Sequence, residues 1–268
     1  MLPRIASALV LIPMVLALVV FASPAVLLCA LGILGTACLR EYFHLMKKMG
    51  LRGQPWFGHA GFWFLILCLH IKLVPGELLL SLVVVVAFLV SMGRQAPMRE
   101  RVTGMMVDLL GVLYLALCLY PALPIRYEFG ERLGLQWVLI LLSVIWVGDT
   151  AALLAGKAFG RTRFSPVISP KKTNEGAVAG LLTGTGAALL LQRLFFPELP
   201  VRHVGPAALL LGAAGQLGDL AESMLKRAAD TKDSSDLIPG HGGVLDRIDS
   251  LLFAIPVLYL YLLKLYAP

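Results

Sequence analysis

About nine long apolar runs, punctuated by short charged loops, constrain this chain more than any other feature. A bilayer core of about 30 Å is crossed by a helix of about 20 residues, and a chain in hydrocarbon must satisfy its backbone internally. The runs fall at residues 5–21, 25–39, 58–74, 78–92, 105–121, 135–155, 177–194, 206–220 and 250–265. They predict an all-α polytopic membrane protein with about nine transmembrane helices. Composition agrees: 15% of the 268 residues are charged and 59% are hydrophobic, against roughly 25% charged in soluble domains. The first run imitates a signal peptide, but it lacks a clear small-x-small cleavage site and a second run follows at once, so it reads as a retained span.

The loops set the orientation. Lys47, Lys48 and Arg52 follow the second run; Arg94, Arg99 and Arg101 the fourth; Lys157, Arg161, Arg163, Lys171 and Lys172 the sixth; Lys226, Arg227, Lys232 and Arg247 the eighth. The alternate loops balance cations with Glu77, Glu128, Glu131 and Glu198. The positive-inside rule then puts the even loops and the N-terminus in the cytoplasm and the C-terminus outside. The net charge of +7 is this loop pattern and points to no nucleic acid. Residues 1–130 read as packing helices with dimer contacts open to them, and 131–268 as a catalytic membrane region. The four cysteines (Cys29, Cys38, Cys68, Cys118) show neither ligand spacing nor a disulfide framework. Gly180, Gly184, Gly186, Gly212, Gly215 and Gly218 read as sites of close helix approach.

Charge gathers between Asp219 and Asp249. Asp219 and Glu222 are three apart at the end of the eighth run, with Ser223 and Lys226 continuing the stripe. Asp246 and Asp249 are likewise three apart, just after Gly242-Gly243, where a helix N-terminus tolerates carboxylates. Oxygen ligands from two helix ends suit a hard cation such as Mg²⁺, which keeps substrate phosphates in its shell. Arg247 points away from that face and can serve as a separate phosphate contact. His241, between two glycines, reads as a phosphate or backbone partner, since no second His or Cys stands at ligand spacing. Lys171 and Lys172 precede Thr173, which can cap the seventh helix; lysines beside a helix N-terminus suit a polyanion. Asp149 lies inside the sixth run and is a functional candidate for that reason. Asp108, without polar company, reads as structural.

The run from Ser223-Met-Leu-Lys226-Arg227 through Lys232-Asp233 to Pro239-Gly-His241-Gly242-Gly243-Val-Leu-Asp246-Arg247-Ile-Asp249 resembles the signature of the phosphatidate cytidylyltransferases, also called CDP-diacylglycerol synthases. A second block, Gly148-Asp149-Thr150 to Gly160-Arg161 and Ser169-Pro170-Lys171-Lys172-Thr173, resembles the same family. The first five runs resemble it only in hydropathy and at Arg40-Glu41. The resemblance implies a multi-pass enzyme of a bacterial inner (plasma) membrane. It would convert CTP and phosphatidic acid, a membrane lipid, into CDP-diacylglycerol and pyrophosphate for phospholipid biosynthesis. It also implies a homodimer and a Mg²⁺ centre on Asp219, Asp246 and Asp249, with a second, monovalent cation left open. Lys171, Lys172, Lys226, Arg227, Lys232, His241 and Arg247 would surround the phosphates, with Ser223 and Asp149 lining the substrate site. Two rivals share parts of this pattern. A CTP-dependent lipid or isoprenoid kinase would have similar basic loops and carboxylates. A cation-coupled transporter would explain Asp149 and Asp108, but needs charge near the midplane, whereas here charge is densest at one surface.

Overall fold

In the computed structural model, which describes residues 2–235, 237 and 242–266, ten α-helices follow one another in chain order. They are α1 (Leu2–Phe21), α2 (Pro24–Lys48), α3 (Pro55–Ile71), α4 (Gly76–Met92), α5 (Met98–Leu119), α6 (Ala122–Tyr127), α7 (Glu131–Phe159), α8 (Asn174–Phe195), α9 (Val201–Ala228) and α10 (Leu245–Tyr266). Among the described residues, six helical stretches are long and apolar enough to cross a membrane: Pro24–Lys48, Met98–Tyr127, Glu131–Phe159, Asn174–Phe195, Val201–Ala228 and Leu245–Tyr266. Three shorter apolar helices, Leu9–Phe21, Pro55–Ile71 and Gly76–Met92, accompany them. The chain is an all-α polytopic membrane protein with one exception. Residues expected to be a loop form an antiparallel hairpin, β1 (Arg163–Ser165) and β2 (Ser169–Thr173), with Arg163 opposite Thr173 and Ser165 opposite Ser169. Pro166 and Pro170 hid this strand pair from a periodicity argument.

The chain divides into two compact units. One comprises Met1–Ala8, Ala25–Tyr120 and Leu225–Arg247; the other comprises Leu9–Pro24, Pro121–Met224 and Ile248–Pro268. In the first, aromatic side chains fill space that small residues leave. A Cβ on Gly32 would meet the Trp63 ring, and one on Gly35 would meet Phe62. Trp63 Nε1 donates to Thr36 Oγ1 at 3.0 Å and the Tyr42 hydroxyl to the Val107 carbonyl at 2.9 Å. The Asp108 carboxylate accepts the Gln54 amide at 2.6 Å, at the head of α3, which is the structural role its isolation suggested.

The second unit has a core of Trp137, Ile140, Leu141, Val144, Leu211, Leu258 and Leu262, all buried. Here α7 and α8 pack backbone to backbone. A Cβ on Gly180 would stand 2.7 Å from the Gly148 carbonyl oxygen, and one on Gly184 2.7 Å from that of Val144. Small residues admit this approach, which in lipid takes the place of hydrophobic association. Gly218 likewise lies against the Asp249 carbonyl and Gly215 near Ser250, whereas Gly186 faces open space. Among the described residues the four cysteines form no disulfide.

Candidate active site

The hairpin is tied to the start of α8. Thr173 Oγ1 accepts the Gly176 amide at 3.1 Å, capping the helix as its position suggested. Glu175, in the first turn, reaches back: its carboxylate accepts the Arg161 and Thr162 amides, both at 3.1 Å, and the Thr162 hydroxyl at 2.9 Å. These bonds fix the segment that carries the two lysines. Lys171 points to solvent, while Lys172 Nζ lies 2.6 Å from Oδ2 of Asp219 on α9. Asp219 Oδ1 accepts the Ser223 hydroxyl at 3.3 Å. Asp249 Oδ1 accepts the Ser250 amide at 2.7 Å, and the Ser250 hydroxyl donates to Asp149 Oδ2 at 3.4 Å. The contact of Gly218 with the Asp249 backbone brings the α9 segment of Asp219 beside the α10 segment of Asp249. Glu222, read as the second member of an acidic pair with Asp219, is fully buried, whereas the Asp219 side chain is 33% exposed.

Asp246 and Lys226 belong to the other unit, in segments of α10 and α9. Lys226 Nζ donates to Asp246 Oδ1 at 2.5 Å. Oδ2 accepts the Gly243 amide at 2.7 Å, the Ser234 amide at 2.9 Å and lies 2.9 Å from the Ser234 hydroxyl. The bond to Gly243 runs backwards from the first turn, as in a capping box. Gly242 makes the preceding turn at φ +76°, a conformation that favours glycine. Arg227, Lys232 and Arg247 are exposed, and Arg227 donates to the Thr231 carbonyl at 3.2 Å. His241 lies outside the described residues.

By residue type alone, the carboxylates suit a metal and the lysines suit phosphates. The structure pairs them: Lys172 with Asp219 and Lys226 with Asp246. Among the described residues no three His, Cys, Asp or Glu side chains gather as a ligand set. The carboxylates nonetheless fit a hard cation. In each pair a lysine ammonium supplies the positive charge on the carboxylate. Spacing alone missed Glu41 on α2. Its carboxylate accepts from Ser234, Ser235, Val244 and Leu245. The available signals were the resemblance at Arg40-Glu41 and a glutamate just past the end of an apolar run.

The whole chain matches a known pattern. A model described as the Cytidylyltransferase family matches residues 2–265. The chain is similar to the phosphatidate cytidylyltransferase of Bacillus subtilis (strain 168), 39% identical over 158 residues, 59% of this chain and 58% of that protein. That of Staphylococcus haemolyticus (strain JCSC1435) is 38% identical over 149 residues, 54% of this chain and 56% of the relative. That of Staphylococcus aureus (strain COL) is 40% identical over 131 residues, 49% and 50% respectively. The chain thus spans between half and three-fifths of the length of these curated relatives.

Proposed function

We propose, from the premise that the chain belongs to the cytidylyltransferase family, that it transfers a cytidylyl group from CTP to phosphatidic acid. The products are CDP-diacylglycerol and pyrophosphate. The observation that carries the reading is the Lys226–Asp246 pair, buried beside the glycine turn that opens α10. A charge pair so placed in an apolar chain has a use beyond solubility.

The lipid phosphate is a monoester with a second pKa near 6, so it is already a dianionic nucleophile at neutral pH and needs no general base. One of its oxygens bonds to the α-phosphorus of CTP as the bond to the pyrophosphate oxygen breaks. The barrier is repulsion between two polyanions, and fixed cations lower it by charge stabilisation and alignment. Lys172 and Lys226 are held in fixed positions by their carboxylates; Lys171, Arg227, Lys232 and Arg247 are exposed cations able to receive the triphosphate. Ser223 and Asp149 line the substrate region. Mg²⁺ would be received by Asp219 and Asp249 and by Asp246, and it supplies charge neutralisation of the phosphates. In the finer topology the three shorter apolar helices also cross, giving nine spans, with the N-terminus cytoplasmic and the C-terminus outside a bacterial inner membrane. The working form is a homodimer.

The test is purified protein with radiolabelled CTP and a panel of lipid phosphates, with and without Mg²⁺. CDP-diacylglycerol with pyrophosphate supports the reading. CDP with a newly phosphorylated lipid would mean a kinase and sink it.

A further inference from the structure

Glu41 stands on α2, just past the end of its apolar run, and is 3% exposed. A carboxylate there costs free energy unless its oxygens are satisfied. Here they are. Oε1 accepts the Ser235 hydroxyl at 2.6 Å and the Val244 amide at 2.9 Å. Oε2 accepts the Ser234 hydroxyl and the Leu245 amide, both at 2.8 Å. Four donors fill the acceptor sites of one carboxylate.

Two of those donors are backbone amides at the start of α10, groups with no partner inside the helix. The residue before Leu245 is Val244, whose side chain cannot cap. Glu41 does the capping from another helix, and its charge suits the helix N-terminus. The other two donors lie on the segment that holds Asp246. Ser234 touches Glu41 through its hydroxyl and Asp246 through both its hydroxyl and its amide. Gly243, whose amide also binds Asp246, is pressed so closely against the Glu41 carboxylate and the Ser234 hydroxyl that a Cβ would collide with both. The two backbone amides that grip Asp246 Oδ2 thus belong to Ser234, which bonds to Glu41, and Gly243, which packs against it, while Oδ1 is left to Lys226.

We infer that Glu41 is a positioning residue for the transfer step, fixing Asp246 and, through it, the Lys226 ammonium. The inference rests on the reading of Asp246 and Lys226 as reaction machinery. It explains a buried charge on a helix that otherwise only packs, and it gives Ser234 and Ser235 defined tasks.

The test uses the full chain, purified in detergent with Mg²⁺, CTP and phosphatidic acid. Glu41→Gln keeps the volume but turns an amide N–H₂ toward donors. A displacement of about 1 Å at a reacting group can cost about 100-fold, so kcat is expected to fall by about 10- to 100-fold. KM for CTP should stay within about threefold, because Lys172 is held by Asp219 and not by Glu41. Adding Ser234→Ala to Glu41→Gln should cost little more, since both act on one path. A wild-type kcat in Glu41→Gln overturns the inference. So does a kcat loss fully matched by a loss of folded protein in a thermal scan, which a merely structural cap would give. If Glu41→Gln cannot be purified folded, Ser234→Ala and Ser235→Ala decide: a lowered kcat at unchanged KM upholds the inference, and wild-type rates overturn it. A wild-type protein that makes no CDP-diacylglycerol sinks the functional reading, whereas active wild type beside an unimpaired Glu41→Gln sinks the positioning role alone.

Discussion

The ammonium of Lys226 lies 2.5 Å from Oδ1 of Asp246, and the two side chains are only 11% and 5% exposed. Removing one member of such a pair strands the other charge away from water, which costs about 3–5 kcal/mol. Lys226→Met should therefore lower the thermal midpoint by many degrees and abolish product formation. Lys226→Met with Asp246→Asn should recover most of the stability and none of the activity. The comparison is a thermal scan beside a CDP-diacylglycerol assay. A double variant that regains turnover would deny the pair its part in the chemistry.

Lys172 and Asp219 make the contrasting case. Their side chains are 29% and 33% exposed, and pairs open to water contribute about 0–1 kcal/mol. Lys172→Ala should leave the thermal midpoint nearly unchanged. It should raise KM for CTP by about tenfold, the scale of one charge-assisted phosphate contact of about 1.5 kcal/mol. An unchanged KM would remove Lys172 from the nucleotide site.

Chelation tests the cation. If Asp219, Asp246 and Asp249 receive Mg²⁺, excess EDTA should stop turnover and added Mg²⁺ should restore it. Asp246→Asn should stay inactive at any Mg²⁺ concentration. Full turnover after exhaustive chelation would leave the two lysines as the only cations on Asp219 and Asp246.

The α7–α8 contact makes a steric prediction. A Cβ at Gly180 would approach the Gly148 carbonyl oxygen to 2.7 Å, against backbone that cannot swing away. Gly180→Val should cost about 1–3 kcal/mol or more and reduce the folded yield. Gly186→Ala faces open space and gains helix propensity, so it should be neutral or slightly stabilising. Thermal midpoints in one detergent, compared side by side, check both.

These predictions divide between features the sequence exposes and features it hides. Helices were legible because apolar runs of crossing length have few other uses, and the close-approach glycines because α8 carries Gly180 and Gly184 on one face. Thr173 announced its cap by standing just before a helical run. The hairpin was hidden by two prolines and the lack of alternation. Glu41 was legible only as a point of resemblance; its task was hidden because its partners Ser234 and Leu245 lie some two hundred residues away in sequence, and spacing reads only neighbours. The pairing of Lys172 and Lys226 with carboxylates escaped for the same reason: residue type gives charge, but only the fold gives the partner.

At the other end of the second unit, the loop carboxylate of Glu198 predicts a pH dependence. Its own backbone amide, then the Gln136 side-chain amide and the Arg132 guanidinium, at 2.8 Å, hold its acidity below the ordinary glutamate range. A carboxyl whose folded pKa is depressed adds stability above its unfolded pKa, near 4.3 for glutamate. That stability is lost as pH falls through the lower folded value. The thermal midpoint of the wild type should therefore be insensitive to this group at neutral pH and decline in the acid limb. Glu198→Gln cannot titrate and should flatten part of that decline, with wild type and variant converging at the lowest pH. Because the carboxylate faces water the effect is small, and Arg132→Ala should reproduce only part of it. Thermal scans of the three proteins from pH 7 down to about pH 3 measure it. Parallel curves for wild type and Glu198→Gln would show that these contacts do not hold the charged form.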